Sequence, residues 1–376
     1  MGAPTIVLLG GYGNTGRALA RLLLDHSQAR LVLAGRDAGK AEREAQACNE
    51  RTPGRRVTGA AADAGDRESL RRLVRGADVV VAASSTAVHA GTVAEAALEA
   101  GADYMDPQFS RAKRAALQQL APRIEAEGRC FVTDAGFHPG LPALLIRFAA
   151  THFDRLRTAR VGSVIQIDWN QLAFSSNTID ELVEEFRSFQ MKHFRRGRWQ
   201  SAGWLESFRP VWMTFDHGFG RRYTMPMYLE ELAPLPELLP GLEETGFFVG
   251  GFNWFVDWIL MPIGMAWLWI APAGGKAFGR VLEWGLKRFS APPYGTLLKL
   301  EARGSRRGTE AGLTVTIYHA DGYVLTAAPM AACLLQMLDG SARKPGLHLQ
   351  ALLAEPTRML TDLQRMGVEV GISADA

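Results

Sequence analysis

Gly10-Gly11-Tyr12-Gly13-Asn14-Thr15-Gly16-Arg17 is the first place in this 376-residue chain where residue types and spacing could do chemistry. Gly11, Gly13 and Gly16 fit the pattern G-x-G-x-x-G. The first glycine permits a tight turn, the second lets the main chain approach a pyrophosphate, and the third lets a helix pack on a strand. A helix opening here would turn its unpaired N–H groups and positive dipole end toward the anion. Gly10, Gly11, Gly13, Asn14, Thr15 and Gly16 are therefore candidates for holding the phosphates of a dinucleotide. Gly35-Arg36-Asp37 stands where such a site reads the ribose. An acid at the end of the second strand suits a free 2′-hydroxyl, whereas an arginine just beyond it suits a 2′-phosphate and can stack on adenine. Arg36 selects NADP(H), and Asp37 one residue later leaves NAD(H) open.

The flanking residues supply the elements that this chemistry needs. Thr5 to Leu9 is an unbroken apolar run, the mark of a strand covered on both faces, and Ala18, Leu19, Leu22 and Leu23 follow at helical spacing. Further strands are expected at Leu31–Ala34, Val57–Ala61, Asp78–Ala83, Ala102–Met105 and Arg129–Thr133. Helices are expected over 88–100 and 112–127, the second capped by Ser110. Repeating β-α units of this length give an α/β fold, a Rossmann-type doubly wound parallel sheet. Ligands lie beyond the carboxyl ends of such strands, which adds Asp63, Ser84, Ser85, Tyr104 and Asp106 to the candidates near the cofactor.

The pattern breaks after Asp134 at Gly136-Phe137-His138-Pro139-Gly140-Leu141-Pro142, which opens a helix running to His152. His138 falls where the reactive end of the cofactor would lie, and an imidazole can exchange a proton at neutral pH. It is the expected proton donor, with Tyr104, Asp106 and Asp168 as orienting groups. The second domain reads as an α+β insertion. Strands are expected at Ala159–Asp168, Thr296–Ala302 and Gly312–His319, the last two as an antiparallel pair, and Thr178 with Glu181 forms a capping box for a helix.

Two segments in this domain are unusual. From Thr245 to Gly275 the sole formal charge is Asp257, and five of the nine tryptophans fall between Trp254 and Trp284. A bilayer-spanning helix wants about 20 apolar residues in a row, and Asp257, Pro262 and Pro272 interrupt this run. Lys276, Arg280, Lys287 and Arg288 follow among Phe278, Leu282 and Leu286, a basic amphipathic profile suited to a membrane surface. Three readings stay open for 245–288: a buried core or homodimer interface, a peripheral membrane contact or channel for a lipid-like substrate, and a spanning helix. The second segment, Lys192-His193-Phe194-Arg195-Arg196-Gly197-Arg198-Trp199, reads as a solvated helix end, with an anionic substrate or headgroup as the alternative.

Composition excludes some classes. With 47% apolar and 22% charged residues the chain is a folded globular protein, and a net charge of +3 with both signs scattered leaves no nucleic-acid footprint. Cys48, Cys130 and Cys333 are far apart and make no C-x-x-C pair, so neither a disulfide framework nor a metal site is expected. No basic segment followed by an apolar core opens the chain, and the expected location is cytoplasmic, with membrane association through 245–288.

The segments GGYGNTGR, LAGRD, VVVAASSTAVHAGTVAEAALEAGADYMD, AGFHPGLP and HADGYVLTAAPMAACLLQMLDG together resemble the saccharopine dehydrogenase-like family of NAD(P)-binding oxidoreductases over the whole chain. The last is the most telling: Gly322, Tyr323, Thr326 and Ala327 open a leucine-rich helix to Leu338, closed by Gly340, with Pro329 read as lying near its first turn. The resemblance implies three parts: a Rossmann domain over 1–136, a substrate or dimerisation domain over 137–325, and residues 326–376 packing back on the first domain. It also implies hydride transfer between NADP(H) and a carbon centre of a small molecule. Relatives acting on amino-acid imines carry an acid where this chain has His138, and no arginine pair here is set to hold two carboxylates. These departures favour a hydrophobic or membrane-borne substrate. The competing expectation is a membrane-peripheral nucleotide-binding scaffold without turnover.

Overall fold

The computed structural model describes residues 2–84, 87–170, 190–201, 211–260, 263–264, 267 and 275–375. Two compact units emerge. The first combines Met1–Leu144 with Tyr323–Gly367, and the second combines Leu145–Gly322 with Val368–Ala376.

In the first unit, β1 (Thr5–Leu9), β2 (Arg30–Gly35), β3 (Val57–Ala61), β4 (Val79–Ala82), β5 (Asp103–Met105) and β6 (Cys130–Thr133) alternate with helices. These are α1 (Asn14–His26), α2 (Ala38–Arg51), α3 (Arg67–Leu73), α4 (Ala90–Glu99) and α5 (Arg111–Ala126). All strand pairings are parallel, and a late strand, β15 (Gly346–Leu349), joins the far edge to give the order β15-β6-β5-β4-β1-β2-β3. Strand order reverses between β1 and β4, which opens a crevice at their carboxyl ends. Ile6 to Leu9 and the whole of β4 are buried, so both faces are covered, as the uninterrupted apolar runs predict. Ser110 caps α5 by accepting the Lys113 N–H at 3.3 Å, and Gly340 adopts φ +86° just past the helix Gly322–Leu338.

The strands of the second unit are β7 (Arg155–Gln166), β10 (Val211–Phe215), β11 (Gly220–Met227), β12 (Glu244–Val249), β13 (Gly295–Arg306), β14 (Thr309–His319) and β16 (Glu369–Asp375). They form a mixed sheet in the order β10-β11-β12-β7-β13-β14-β16. Only β12 with β7 is parallel among these neighbours. The expected antiparallel pair is present with Thr296 opposite His319 and Ala302 opposite Leu313. A two-residue connection joins the pair, with Arg307 and Gly308 both at positive φ.

Several expectations are corrected. The basic run is a hairpin, not a helix end: β8 (Lys192–Arg195) pairs with β9 (Arg198–Ser201) around Arg196 and Gly197, again both at positive φ. Phe194 and Trp199 face each other across it, edge to face with centroids 5.7 Å apart. The apolar run opens as a core strand, since Thr245 to Val249 belong to β12 and bury Phe247 and Phe248. Pro329 lies well inside the helix Gly322–Leu338, not in its first turn. The segment after Gly367 leaves the first unit, and β16 extends the second sheet beside β14. The first unit also runs past the Gly136 boundary, to Leu144. Thr178 and Glu181 lie outside the described residues. Cys48, Cys130 and Cys333 are buried free thiols. No helix among the described residues is long and apolar enough to cross a membrane.

Candidate functional site

The glycine turn is held by its own strands. The Gly10 N–H donates to the Ala34 carbonyl at 2.7 Å, and the Gly13 N–H returns to the Gly10 carbonyl at 2.9 Å. Gly10 has φ +88°, and a Cβ there would meet the Ser84 Cβ at 2.5 Å, so the ends of β1 and β4 close on each other. A Cβ on Gly16 would lie 2.2 Å from the Gly10 carbonyl oxygen, and one on Gly11 would lie 2.9 Å from the Leu33 Cα. These contacts match the turn and packing roles read from the sequence. Gly13 is the N-cap of α1, no side chain caps that end, and Gly13 and Asn14 are exposed, with Thr15 half-buried behind them. First-turn amides are thus presented to an anion in the way a pyrophosphate requires.

The ribose end contains a feature that the motif reading missed. A Cβ on Gly35 would lie 2.6 Å from the Tyr12 ring, whose hydroxyl accepts the Asp37 N–H at 3.1 Å. The position where an NAD site keeps its acid is occupied here by an aromatic ring, which is why it must be glycine. Asp37 caps α2 by accepting the Lys40 N–H at 2.9 Å, a bond that holds its carboxyl below the usual range. Arg36 stands exposed beyond β2. These residues fit a 2′-phosphate better than a free hydroxyl. Asp63 is exposed and closes a local turn by accepting the Gly65 N–H at 2.9 Å. Ser84 is half-buried against Gly10, and its carbonyl accepts from the Gln108 amide. Ser85 lies outside the described residues.

Past the switch point, β5 and β6 end in a buried charge cluster. Lys113 Nζ donates to Asp106 Oδ1 at 2.6 Å and to Asp134 Oδ1 at 2.8 Å, with all three side chains essentially inaccessible, and it also reaches the Gln108 carbonyl. Thr133 Oγ1 donates to Asp106 Oδ2 at 3.0 Å, and Arg114 lies 3.4 Å from Asp134 Oδ2. Burial works against the charge on Lys113, but the two carboxylates outweigh it and raise its pKa. Burial likewise raises Asp106, against the pull of Lys113. Asp134 takes φ +53°, a left-handed conformation that aspartate enters more readily than most residues. Two strand-end loops, the one after β5 and the one that leads into His138, are thereby tied to the first turn of α5.

Lys113, Asp134, Thr133 and Gln108 were not among the residues expected from the sequence. One signal was available. Lys113, Leu117, Leu120 and Ile124 recur at helical spacing, so a lysine occupies the apolar stripe of α5, in a first turn whose dipole disfavours cations.

Of the four expected catalytic residues, Tyr104 and Asp106 adjoin each other in the first unit, which also holds His138, and Asp168 lies in the second. Tyr104 is a core residue packed on Phe131 with centroids 5.3 Å apart, and burial and then Asp106 push its phenol well above the ordinary value. Asp106 is locked on Lys113. Asp168 belongs to the second unit, where it accepts the Asn170 N–H at 3.1 Å. His138 keeps part of its surface exposed, but its Nε2 is shielded from solvent, and burial lowers its pKa to about 4. A ring so held is neutral at pH 7, which makes it a hydrogen-bonding group in place of the expected ready proton donor. Its turn rests on the returning C-terminal segment: Gln350 Nε2 donates to the Gly136 carbonyl at 3.2 Å, and a Cβ on Gly140, at φ +128°, would meet that carbonyl at 2.4 Å.

A reversed strand order, an open helix terminus on a glycine turn and an exposed arginine after β2 define a dinucleotide-binding protein of the doubly wound class. Residues 6–132 match the family model described as the saccharopine dehydrogenase NADP binding domain. The whole chain superposes on all of apo saccharopine dehydrogenase (L-Glu forming) from Saccharomyces cerevisiae, with a TM-score of 0.71 at 14% identity. A myo-inositol dehydrogenase from Corynebacterium glutamicum aligns over 97% of this chain and 95% of its own, with a TM-score of 0.44 at 12% identity. A 69-residue stretch, 18% of the chain, is 38% identical to part of a highly reducing polyketide synthase from Aspergillus terreus, and the match spans 3% of that protein. The first domain therefore matches the NADP-binding domain of the saccharopine dehydrogenases, and the overall fold is that of saccharopine dehydrogenase.

Proposed function

We propose that this chain transfers hydride between NADP(H) and an unsaturated carbon centre of a hydrophobic substrate. The observation that carries this reading is the cradle at Gly10 to Gly16 with Tyr12 laid over Gly35 and Arg36 free beyond it. When bound, NADPH would supply the hydride, the α1 amides would hold its pyrophosphate, and Arg36 would pair with its 2′-phosphate. The Lys113–Asp106–Asp134 cluster fixes the loops at the carboxyl end of the sheet, and His138, kept neutral, offers a ring N–H or lone pair for orienting the reacting group. Hydride transfer asks little of the protein beyond such positioning, so the proton that balances the addition can come from solvent. The hydrophobic character of the substrate is supported by the tryptophan-rich surface of the second unit.

NADPH deuterated at the nicotinamide C4 tests this. Incubated with the protein and an apolar cell extract, it should leave deuterium in a product that mass spectrometry detects. Tight NADPH binding with no label transferred to any product would instead support a nucleotide-binding scaffold without turnover, a reading favoured by the neutral His138 and the core position of Tyr104.

A further inference from the structure

In the second unit, Trp254, Trp258, Ile263, Trp267 and Trp284 are each between 53% and 60% exposed, and Ile259 and Val281 are exposed beside them in sequence. Single exposed apolar residues need no explanation, but a contiguous set does. This set is contiguous. Trp254 and Trp284 both pack edge to face on Phe255 and Phe289, with ring centroids 5.1 to 5.9 Å apart. A Cβ on Gly285 would meet the Phe255 ring at 3.0 Å, and one on Gly264 would meet Phe278 at 2.0 Å, so the turns after Asn253 lie directly on the helix Gly275–Arg288. Trp258 continues the array onto Tyr223 at 4.9 Å, and Tyr223 onto the exposed Trp212 at 6.2 Å.

The helix itself has two faces. Phe278, Leu282 and Leu286 are buried, while Arg280, Val281, Trp284 and Arg288 are exposed. Neither Arg280 nor Arg288 makes an ion pair among the described residues. The acids of this region are withdrawn. Glu283 is taken by Lys287 at 2.6 Å, and Asp257, the single acid between Thr245 and Gly275, turns inward to accept the Phe252 N–H at 2.8 Å. Its carboxylate fills the space that a side chain on Gly251 would need, 2.0 Å from a Cβ built there.

We infer that this surface docks on an anionic lipid bilayer. Tryptophan is enriched where one end of a side chain is apolar and the other wet, as at a membrane interface. The charges decide against a second copy of the chain. A two-fold contact would set this patch against itself, bringing unpaired arginines to unpaired arginines with no free carboxylate between them among the described residues. Anionic headgroups supply the missing counter-charge, and apolar turns flanked by arginines are the means by which peripheral proteins enter the headgroup layer. The inference stands independently of the reductase reading.

Sedimentation of the full chain with two kinds of vesicle tests it, phosphatidylcholine alone and phosphatidylcholine mixed with phosphatidylglycerol. The protein should pellet with the anionic vesicles, with a blue shift in tryptophan emission, and release as salt is raised. Arg280→Glu with Arg288→Glu should weaken that binding at least about tenfold, and Trp254→Ser with Trp284→Ser should remove the blue shift. NADPH fluorescence, read on each variant, reports folding and is expected to be unchanged. A protein that stays in the supernatant with both vesicles, or arginine variants that bind like the parent, would overturn the proposal. So would a dimer that Trp284→Ser dissociates without any vesicle binding, which would assign the patch to self-association.

Discussion

Each unit draws an acid away from solvent, Asp106 with Asp134 in the first and Asp257 in the second, and the two examples do so by different means. In the first, Asp106 and Asp134 are fully enclosed and share one equally enclosed lysine, so charge is kept inside by matching it with charge. In the second, Asp257 is withdrawn from solvent against main-chain N–H groups, with Arg222 as the more distant positive influence, and burial raises its pKa to about 6. The first arrangement fixes loops at the cofactor end of the sheet and needs its charges. The second clears negative charge from an exposed aromatic surface, and a neutral group of the same shape would serve equally well. Buried acidity is therefore structural in one place and a matter of surface composition in the other.

The contrast can be broken most directly at Lys113. Lys113→Met leaves Asp106 without its cation and Asp134 with Arg114 alone, and should destabilise the protein by about 3–5 kcal/mol, read by urea unfolding. An unchanged midpoint would mean that the cluster is already neutralised by proton uptake. Asp257→Asn should act in the opposite direction, stabilising at pH 7 by about 1–3 kcal/mol, because it removes the cost of ionising a buried acid while keeping an acceptor for the Phe252 N–H.

The pH dependence sharpens the same point. A carboxyl with a raised folded pKa contributes its full stability below about pH 4 and loses it as pH rises through about 6, whereas His138, lowered to about 4, contributes above pH 6.5 and loses that contribution as pH falls. The two slopes oppose each other between pH 4 and 6. Removing the acid should uncover the histidine, so Asp257→Asn should lose stability more steeply than the parent on acidification, and His138→Gln should flatten that loss. A smaller effect is expected at the cofactor: Arg36→Ala should weaken NADPH about tenfold, near 1.4 kcal/mol, and leave NADH unchanged in fluorescence titrations.

The first domain was readable because its strands are apolar along their whole length and its turn demands glycine at fixed offsets, two signals set by local sterics. The place of Arg36 just past the second strand followed from where that strand's apolar run ends. The Lys113 cluster was not readable, since it joins residues from two strand ends and a helix, and nothing near Asp106 or Asp134 in the sequence announces a shared cation. Tyr104 misled because a strand-end tyrosine looks alike whether it faces a ligand or the core. In the second domain, Arg196-Gly197 was read as part of a charged helix end, though a glycine after a polar residue between alternating side chains is a hairpin signal. Whether Phe247 and Phe248 fill a core while Trp254 and Trp284 face outward depends on which strand lies alongside, a long-range fact that a uniform apolar run does not encode.

The threading of the chain also has a consequence for its synthesis. Gly346–Leu349 completes the parallel sheet and Glu369–Asp375 completes the mixed one, although both sheets begin hundreds of residues earlier. A ribosome must therefore deliver the chain through Leu349 before the first sheet, and through Asp375 before the second, can complete its hydrogen-bonded edge. Until then two incomplete sheets coexist on one nascent chain, each with an unpaired strand, and a stop before Gly346 would harm both halves at once.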